Sequence, residues 1–173
     1  MTETKYKTVW PSWALKLNWQ LITMIADKYE IDPCLIGAII WVESKNVSNA
    51  CRYEKHYKWL VDVELYAKIN KQSKATEEIQ QKTSFGVMQV MGANARESGM
   101  QDHLVKLCKP NIGITFGCRY LRRLFDKHKN IKDVIASYNA GSPRRNIDGD
   151  YVNQEYVDKV HDLYMELKLR EVK

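Results

Sequence analysis

The segment Leu35-Ile36-Gly37-Ala38-Ile39-Ile40-Trp41-Val42 is apolar almost throughout and runs directly into Glu43-Ser44-Lys45. A carboxyl at the end of so apolar a stretch is costly to ionise unless something pairs with it. Desolvation raises its pKa, so the group can hold a proton near neutrality and give it away. Protonating a leaving oxygen, the demand made by breaking a glycosidic bond, is the chemistry such a carboxyl suits. A helix-end Glu turned outward to water is the plainer alternative, and composition taken alone favours it.

Two further clusters carry polar groups inside apolar surroundings. They are Gly86-Val87-Met88-Gln89-Val90-Met91 and Ser137-Tyr138-Asn139-Ala140-Gly141. Taken singly, Met88 and Tyr138 read as core packing. Asn139-Ala140-Gly141 reads as a helix C-terminus with glycine in the left-handed position. Of the carboxylates that follow Glu43, nothing marks Glu54, Asp62 or Glu64 as its partner, and Asp62 and Glu64 fall on the solvated face of an expected helix. Cys34, Cys51, Cys108 and Cys118 include no C-x-x-C pair, which argues against a zinc site; neither metal nor cofactor is implied. Cys34 reads as a buried free thiol. Cys108 and Cys118 lie ten positions apart across a Lys-Pro-Asn turn, a spacing that permits a disulfide and leaves the pairing open.

The elements that must position these groups are helical. Pro11-Ser12 opens a first helix, with Trp13, Leu17, Leu21, Met24 and Ile25 at helical spacing. Asp32-Pro33 opens the second, Asp as N-cap and Pro at the first helical position. Its body, apolar nearly all round, belongs in the middle of a core. A third helix is expected over about 56–68, and the polar stretch 70–82 is expected as a mobile loop. Thr83 to Met91 is compact and apolar, and Ala93–Ser98 is a short helix stopped by Gly99. Long helices follow from Pro110 to about His128 and after Asp150, with a shorter one over Asp133–Tyr138 between them. No β-type alternation of any length is seen.

The chain has 173 residues, 45% hydrophobic and 28% charged, which suits one folded domain and excludes disorder. Its net charge of +6 points to an acidic partner, namely nucleic acid, an anionic membrane or an anionic wall polymer. No nucleic-acid motif accompanies the charge, so nucleic acid is set aside. No stretch is apolar enough for stable membrane insertion, and Met1–Trp10 has no secretory h-region.

In order, Glu43-Ser44, then Gly86-Val87-Met88-Gln89, then Tyr138-Asn139-Ala140-Gly141 resemble the catalytic domain of the soluble lytic transglycosylases, the SLT domain, which shows Glu-Ser, Gly-Leu-Met-Gln and Tyr-Asn-Ala-Gly. Lys109-Pro110-Asn111-Ile112 with Gly117 and Tyr120-Leu121, and Tyr156-Val157-x-Lys159-Val160, are similar to two more of its motifs. Arg52-Tyr53-Glu54 and Met91-Gly92 resemble the branch common in phage-borne members. The resemblance covers about 30–165. Departures are Val87 for Leu, Thr83-Ser84-Phe85 where Gly-Ala is usual, and Val152 in place of a Glu whose role is lost or passes to Asn153 or Glu155.

The resemblance implies a mainly α, lysozyme-like single domain of about seven to nine helices, with 1–29 packed onto a catalytic domain at 30–173. It implies a lytic transglycosylase acting on bacterial peptidoglycan as a monomer, without cofactor. Glu43 is then the sole acid and base, with Ser44 beside it as a substrate-binding residue. Met88 is the cleft floor, Gln89 lines the cleft, Tyr138 sets its hydroxyl near Glu43, and Asn139 holds the turn or reaches sugar. The alternatives are a goose-type lysozyme-like hydrolase and a non-catalytic wall-binding virion protein. A protein made in the cytoplasm without a signal peptide and acting on the wall as a virion or lysis component is the expected setting.

Overall fold

The second helix carries the fold, because its sequence leaves it nowhere to go but the centre. The computed structural model describes residues 11–171, so the polar stretch Met1–Trp10 lies outside it. Among the described residues are eight α-helices: α1 Trp19–Tyr29, α2 Pro33–Ser44, α3 Val63–Ile69, α4 Lys74–Gln81, α5 Gly92–Glu97, α6 Pro110–Lys127, α7 Ile131–Ala140 and α8 Gln154–Glu171. The Asp32 side chain accepts from the Cys34 N–H, Pro33 takes the first position, and Cys34 to Ile40 are all buried. α8 and α1 cover α2, α6 packs on α1 and α7, and α7 packs on α8. The fold is the mainly helical, lysozyme-like single domain expected.

Four local expectations are corrected. The first helix does not run from Pro11. A 3₁₀ turn at Ala14–Lys16 gives way to extended Leu17, and Asn18 then caps α1 by accepting from the Leu21 N–H. The third helix starts at Val63 rather than near His56, because Asp62 caps it there through the Leu65 N–H. The stretch 70–82 is not a mobile loop but contains α4, capped by Ser73. And three short strands exist where no alternation showed: β1 Cys51–Tyr53, β2 Thr83–Phe85 and β3 Val90–Met91, antiparallel in that order. Cys51 lies opposite Phe85, and Phe85 opposite Val90. Strands of two or three residues are too short to display a period of two.

α4 is held by a buried ion pair. Arg96 on α5 donates from Nε and Nη2 to the two Glu77 carboxylate oxygens at 2.8 Å each, and both side chains are fully buried. Gln72 and Gln81 donate to the same carboxylate, and Arg96 also donates to the Met100 and Asp102 carbonyls. Every polar group thus finds a partner, which is the condition for charge inside a protein. No described helix is long and apolar enough to cross a membrane. None of the four cysteines is in a disulfide. Cys118 is buried within α6, and the sulfur in contact with Cys108 is that of Cys51, so the Cys108–Cys118 spacing does not become a pair.

Burial pushes the Glu77 carboxyl upward, but the hydrogen bonds from Arg96, Gln81 and Gln72 and the Arg96 charge outweigh it, and its pKa lies below 4.5. A lowered folded pKa means stability that is present above the unfolded value and lost as pH falls through the folded one. Glu77→Gln leaves Arg96 buried and unpaired, and should cost about 3–5 kcal/mol in urea unfolding at neutral pH. The variant should also lose part of the wild type's acid sensitivity below pH 4.5. An unchanged unfolding midpoint would show that the pair contributes nothing.

Candidate active site

Glu43 occupies the last turn of α2, one residue before the buried Ser44, and the chain leaves the helix at left-handed Lys45. Its carboxyl opens into a cleft of about 940 Å³, lined also by Ser84, Gln89, Met91, Tyr120, Tyr138 and Asn139. From α8, the Tyr156 hydroxyl donates to Glu43 Oε1 at 2.6 Å. Burial raises the Glu43 pKa above its ordinary 4.5, while the Tyr156 hydrogen bond and the Arg52 charge pull against that rise without cancelling it. The result is a carboxyl that holds its proton longer than a solvated Glu, with a phenol ready to stabilise the anion once the proton has left.

Tyr138 sits beside this pair but serves another partner. Its hydroxyl donates to the Met88 carbonyl at 2.8 Å, and its ring lies against Tyr120 at a centroid distance of 5.4 Å. The expectation that Tyr138 directs its hydroxyl at Glu43 is therefore corrected: Tyr156 does so. Tyr156 stood in the sequence as the first residue of the family-like stretch Tyr156-Val157-x-Lys159-Val160, with no role of its own. The usable signal was that a buried phenol needs a hydrogen-bond partner.

Ser44 and Met88 also differ from expectation. The Ser44 hydroxyl donates to the Val87 carbonyl at 2.8 Å, so it faces the turn Gly86–Gln89 and not the cleft. Met88 is fully buried, with its sulfur only 2.4 Å from where a Cβ on Gly117 would stand. It fills the core against α6 and is not the cleft floor. Gln89 does line the cleft, but its amide is committed. Nε2 donates to the Ala50 and Gly86 carbonyls at 2.9 Å, and Oε1 accepts from Ser84 at 2.9 Å. Gln89 adopts φ +47°, a left-handed conformation unusual for a residue with a side chain, and these three bonds hold it there.

Asn139 is exposed at the cleft edge, and its Oδ1 accepts from Asn153 at 3.0 Å. Asn153 thus stands at the base of α8 holding Asn139, while Glu155 is engaged with Lys159 on the exposed face. The other two carboxylates in the cleft wall already hold cations: Glu54 accepts from Arg52 at 2.5 Å, and Glu97 is ion-paired with Arg123 at 2.7 Å. Asp62 caps α3 and Glu64 pairs with Lys74 on the surface. Among the described residues, no group of three or more His, Cys, Asp or Glu side chains is arranged to hold a metal ion.

The family model of the transglycosylase SLT domain matches residues 20–159, from the start of α1 into α8. No curated protein and no solved structure matches the chain.

The two tyrosines separate cleanly by experiment. Removing the Tyr156 hydroxyl deletes a contribution that lowers the Glu43 pKa, so Tyr156→Phe should raise that pKa in a carboxyl NMR titration. In Tyr138→Phe the Glu43 titration should stay close to wild type. That variant strands the buried Met88 carbonyl, and stability should fall by about 1–3 kcal/mol. If Tyr138→Phe moves the Glu43 titration further than Tyr156→Phe does, the assignment of the two hydroxyls is wrong.

Proposed function

The chain belongs to the transglycosylase SLT domain family, whose members cleave peptidoglycan, and on that premise we propose that it is a lytic transglycosylase with Glu43 as its one acid and base. The observation that carries this reading is Glu43 itself: a partly buried carboxyl in the cleft, raised in pKa, touched by a phenol and not by a cation. The substrate is the β-1,4 bond between N-acetylmuramic acid and N-acetylglucosamine in a glycan strand.

Glu43 protonates the glycosidic oxygen, and the bond to the muramoyl anomeric carbon breaks. The substrate's own acetamido group stabilises the cation, as in substrate-assisted glycosidases. Glu43, now ionised, accepts from Tyr156 and takes the proton of the muramoyl 6-hydroxyl. That oxygen closes on the anomeric carbon and leaves a 1,6-anhydromuramoyl end. No water enters the products. Two-carboxylate glycosidases need a second free carboxylate across the bond. Glu54 and Glu97 are each held by an arginine, which supports the one-carboxyl scheme. The net charge of +6 favours association with an anionic wall polymer.

Glu43→Gln keeps the shape and cannot deliver a proton. It should reduce wall cleavage by about 10²-fold or more, the scale of general acid–base catalysis. It should also unfold no more easily than wild type at neutral pH. A carboxyl whose folded pKa is raised above its unfolded value destabilises the fold once it ionises, and glutamine removes that penalty. Mass analysis of wild-type products should find ends one water lighter than reducing ends. Reducing ends would make the protein a hydrolase, and a folded Glu43→Gln protein retaining a tenth of the activity would remove Glu43 from the chemistry.

A further inference from the structure

We propose that Cys51 and Cys108 are a disulfide site, closed when the protein meets an oxidising compartment, that ties β1 to the 3₁₀ turn Leu104–Cys108 ahead of α6. Their sulfurs are 3.8 Å apart, in contact across 57 positions of sequence. Both are placed by rigid neighbours. Cys51 begins β1 opposite Phe85, and the next residue, Gly86, donates its N–H to the Ala50 carbonyl at 2.8 Å. A Cβ on Gly86 would fall 2.3 Å from the Leu107 carbonyl oxygen, and one on Gly113 would fall 2.5 Å from it. Two glycines therefore let the sheet and α6 close on the residue just before Cys108. Side-chain rotation with a small backbone adjustment is all that bonding distance, about 2.05 Å, then requires.

The two thiols divide the chemistry. Cys51 is exposed and Cys108 is partly covered. Burial and the adjoining Cys51 sulfur push Cys108 up to about 11, so Cys51 meets the oxidant first. With an organic disulfide as oxidant, the Cys51 thiolate attacks one sulfur and releases one thiol, leaving a mixed disulfide. Cys108 then gives its proton to solvent and attacks the Cys51 sulfur, and the second thiol leaves. Two protein thiols are oxidised and one disulfide is reduced to two thiols. Cys34 and Cys118 are fully buried in α2 and α6 and stay out of reach of that oxidant. The closed loop spans α3, α4, α5, β2 and β3, and so includes Ser84, Gln89 and Met91 of the cleft wall.

The test treats the full chain with glutathione disulfide and compares it with the same protein in dithiothreitol. The intact mass should fall by two hydrogens, and non-reducing peptide mapping should join Cys51 to Cys108. The melting temperature should rise by about 10 °C over the reduced form, from the unfolded-state entropy removed by so long a loop. Cys51→Ser, an exposed change, should fold and show neither effect. An unchanged mass, a glutathione adduct that persists on Cys51, or a cross-link to Cys34 or Cys118 would each overturn the site. A Cys51–Cys108 link with no rise in melting temperature would overturn its bracing role. None of these readouts depends on catalysis.

Discussion

Keeping one carboxyl out of water at the end of an apolar helix is the demand that the other elements meet. α2 supplies burial above all, because Cys34 to Ile40 are all buried. Relief must come from elsewhere. α8 brings Tyr156 to Glu43, β1 brings the charge of Arg52, and α7 closes the side with the Tyr138 ring. Desolvation wins over these, so the acid stays poised above its ordinary range. The arrangement stores a cost, since the ionised form is less stable in this setting than in the unfolded chain.

That geometry needs a fixed reference, and the turn Gly86–Gln89 provides it. Ser44 donates to the Val87 carbonyl, Tyr138 to the Met88 carbonyl, and the Gln89 amide to the Gly86 and Ala50 carbonyls. α2, α7 and β1 are thereby tied to the same few backbone oxygens. Met88 anchors the turn from below by packing where Gly117 has no side chain. Three short motifs far apart in sequence are in this sense one brace. The Ser44 and Tyr138 hydroxyls and the Gln89 amide N–H groups are spent on backbone carbonyls, as most side-chain hydrogen bonds are on backbone or water.

α2 and α6 were legible in the sequence because each begins with Pro at its first position and carries an apolar stripe that only a helix can bury. α4 was not. Its residues are polar, and the sequence does not say that Glu77 turns inward to meet Arg96 from α5 while Gln81 donates to the same carboxylate. The upward shift at Glu43 was legible from its place at the end of the apolar run, although composition alone favoured an outward, solvated carboxyl. Its partner was not, because Tyr138 and Tyr156 are both inward phenols on late helices. Which one reaches the acid depends on how α8 crosses the end of α2, and no local pattern encodes that crossing. The same holds for Cys108, which meets Cys51 through the packing of the 3₁₀ turn on the sheet rather than through its sequence neighbour Cys118.

Two glutamates in this one chain show what the choice of donor does. Glu77 is wholly and Glu43 partly taken out of water, and burial pushes both carboxyls upward. Glu77 meets a guanidinium through two parallel hydrogen bonds, and its pKa ends below the ordinary value. Glu43 meets a neutral phenol, and its pKa ends above. A cation in contact would turn Glu43 into a second structural anion with no proton to give. Arg52 lies near enough for its charge to lower the Glu43 pKa, but its guanidinium is held by Glu54, as that of Arg123 is by Glu97. Those surface pairs add little to stability. Their consequence lies in the cleft, where they occupy these two guanidinium groups while the Glu43 carboxyl is met by Tyr156.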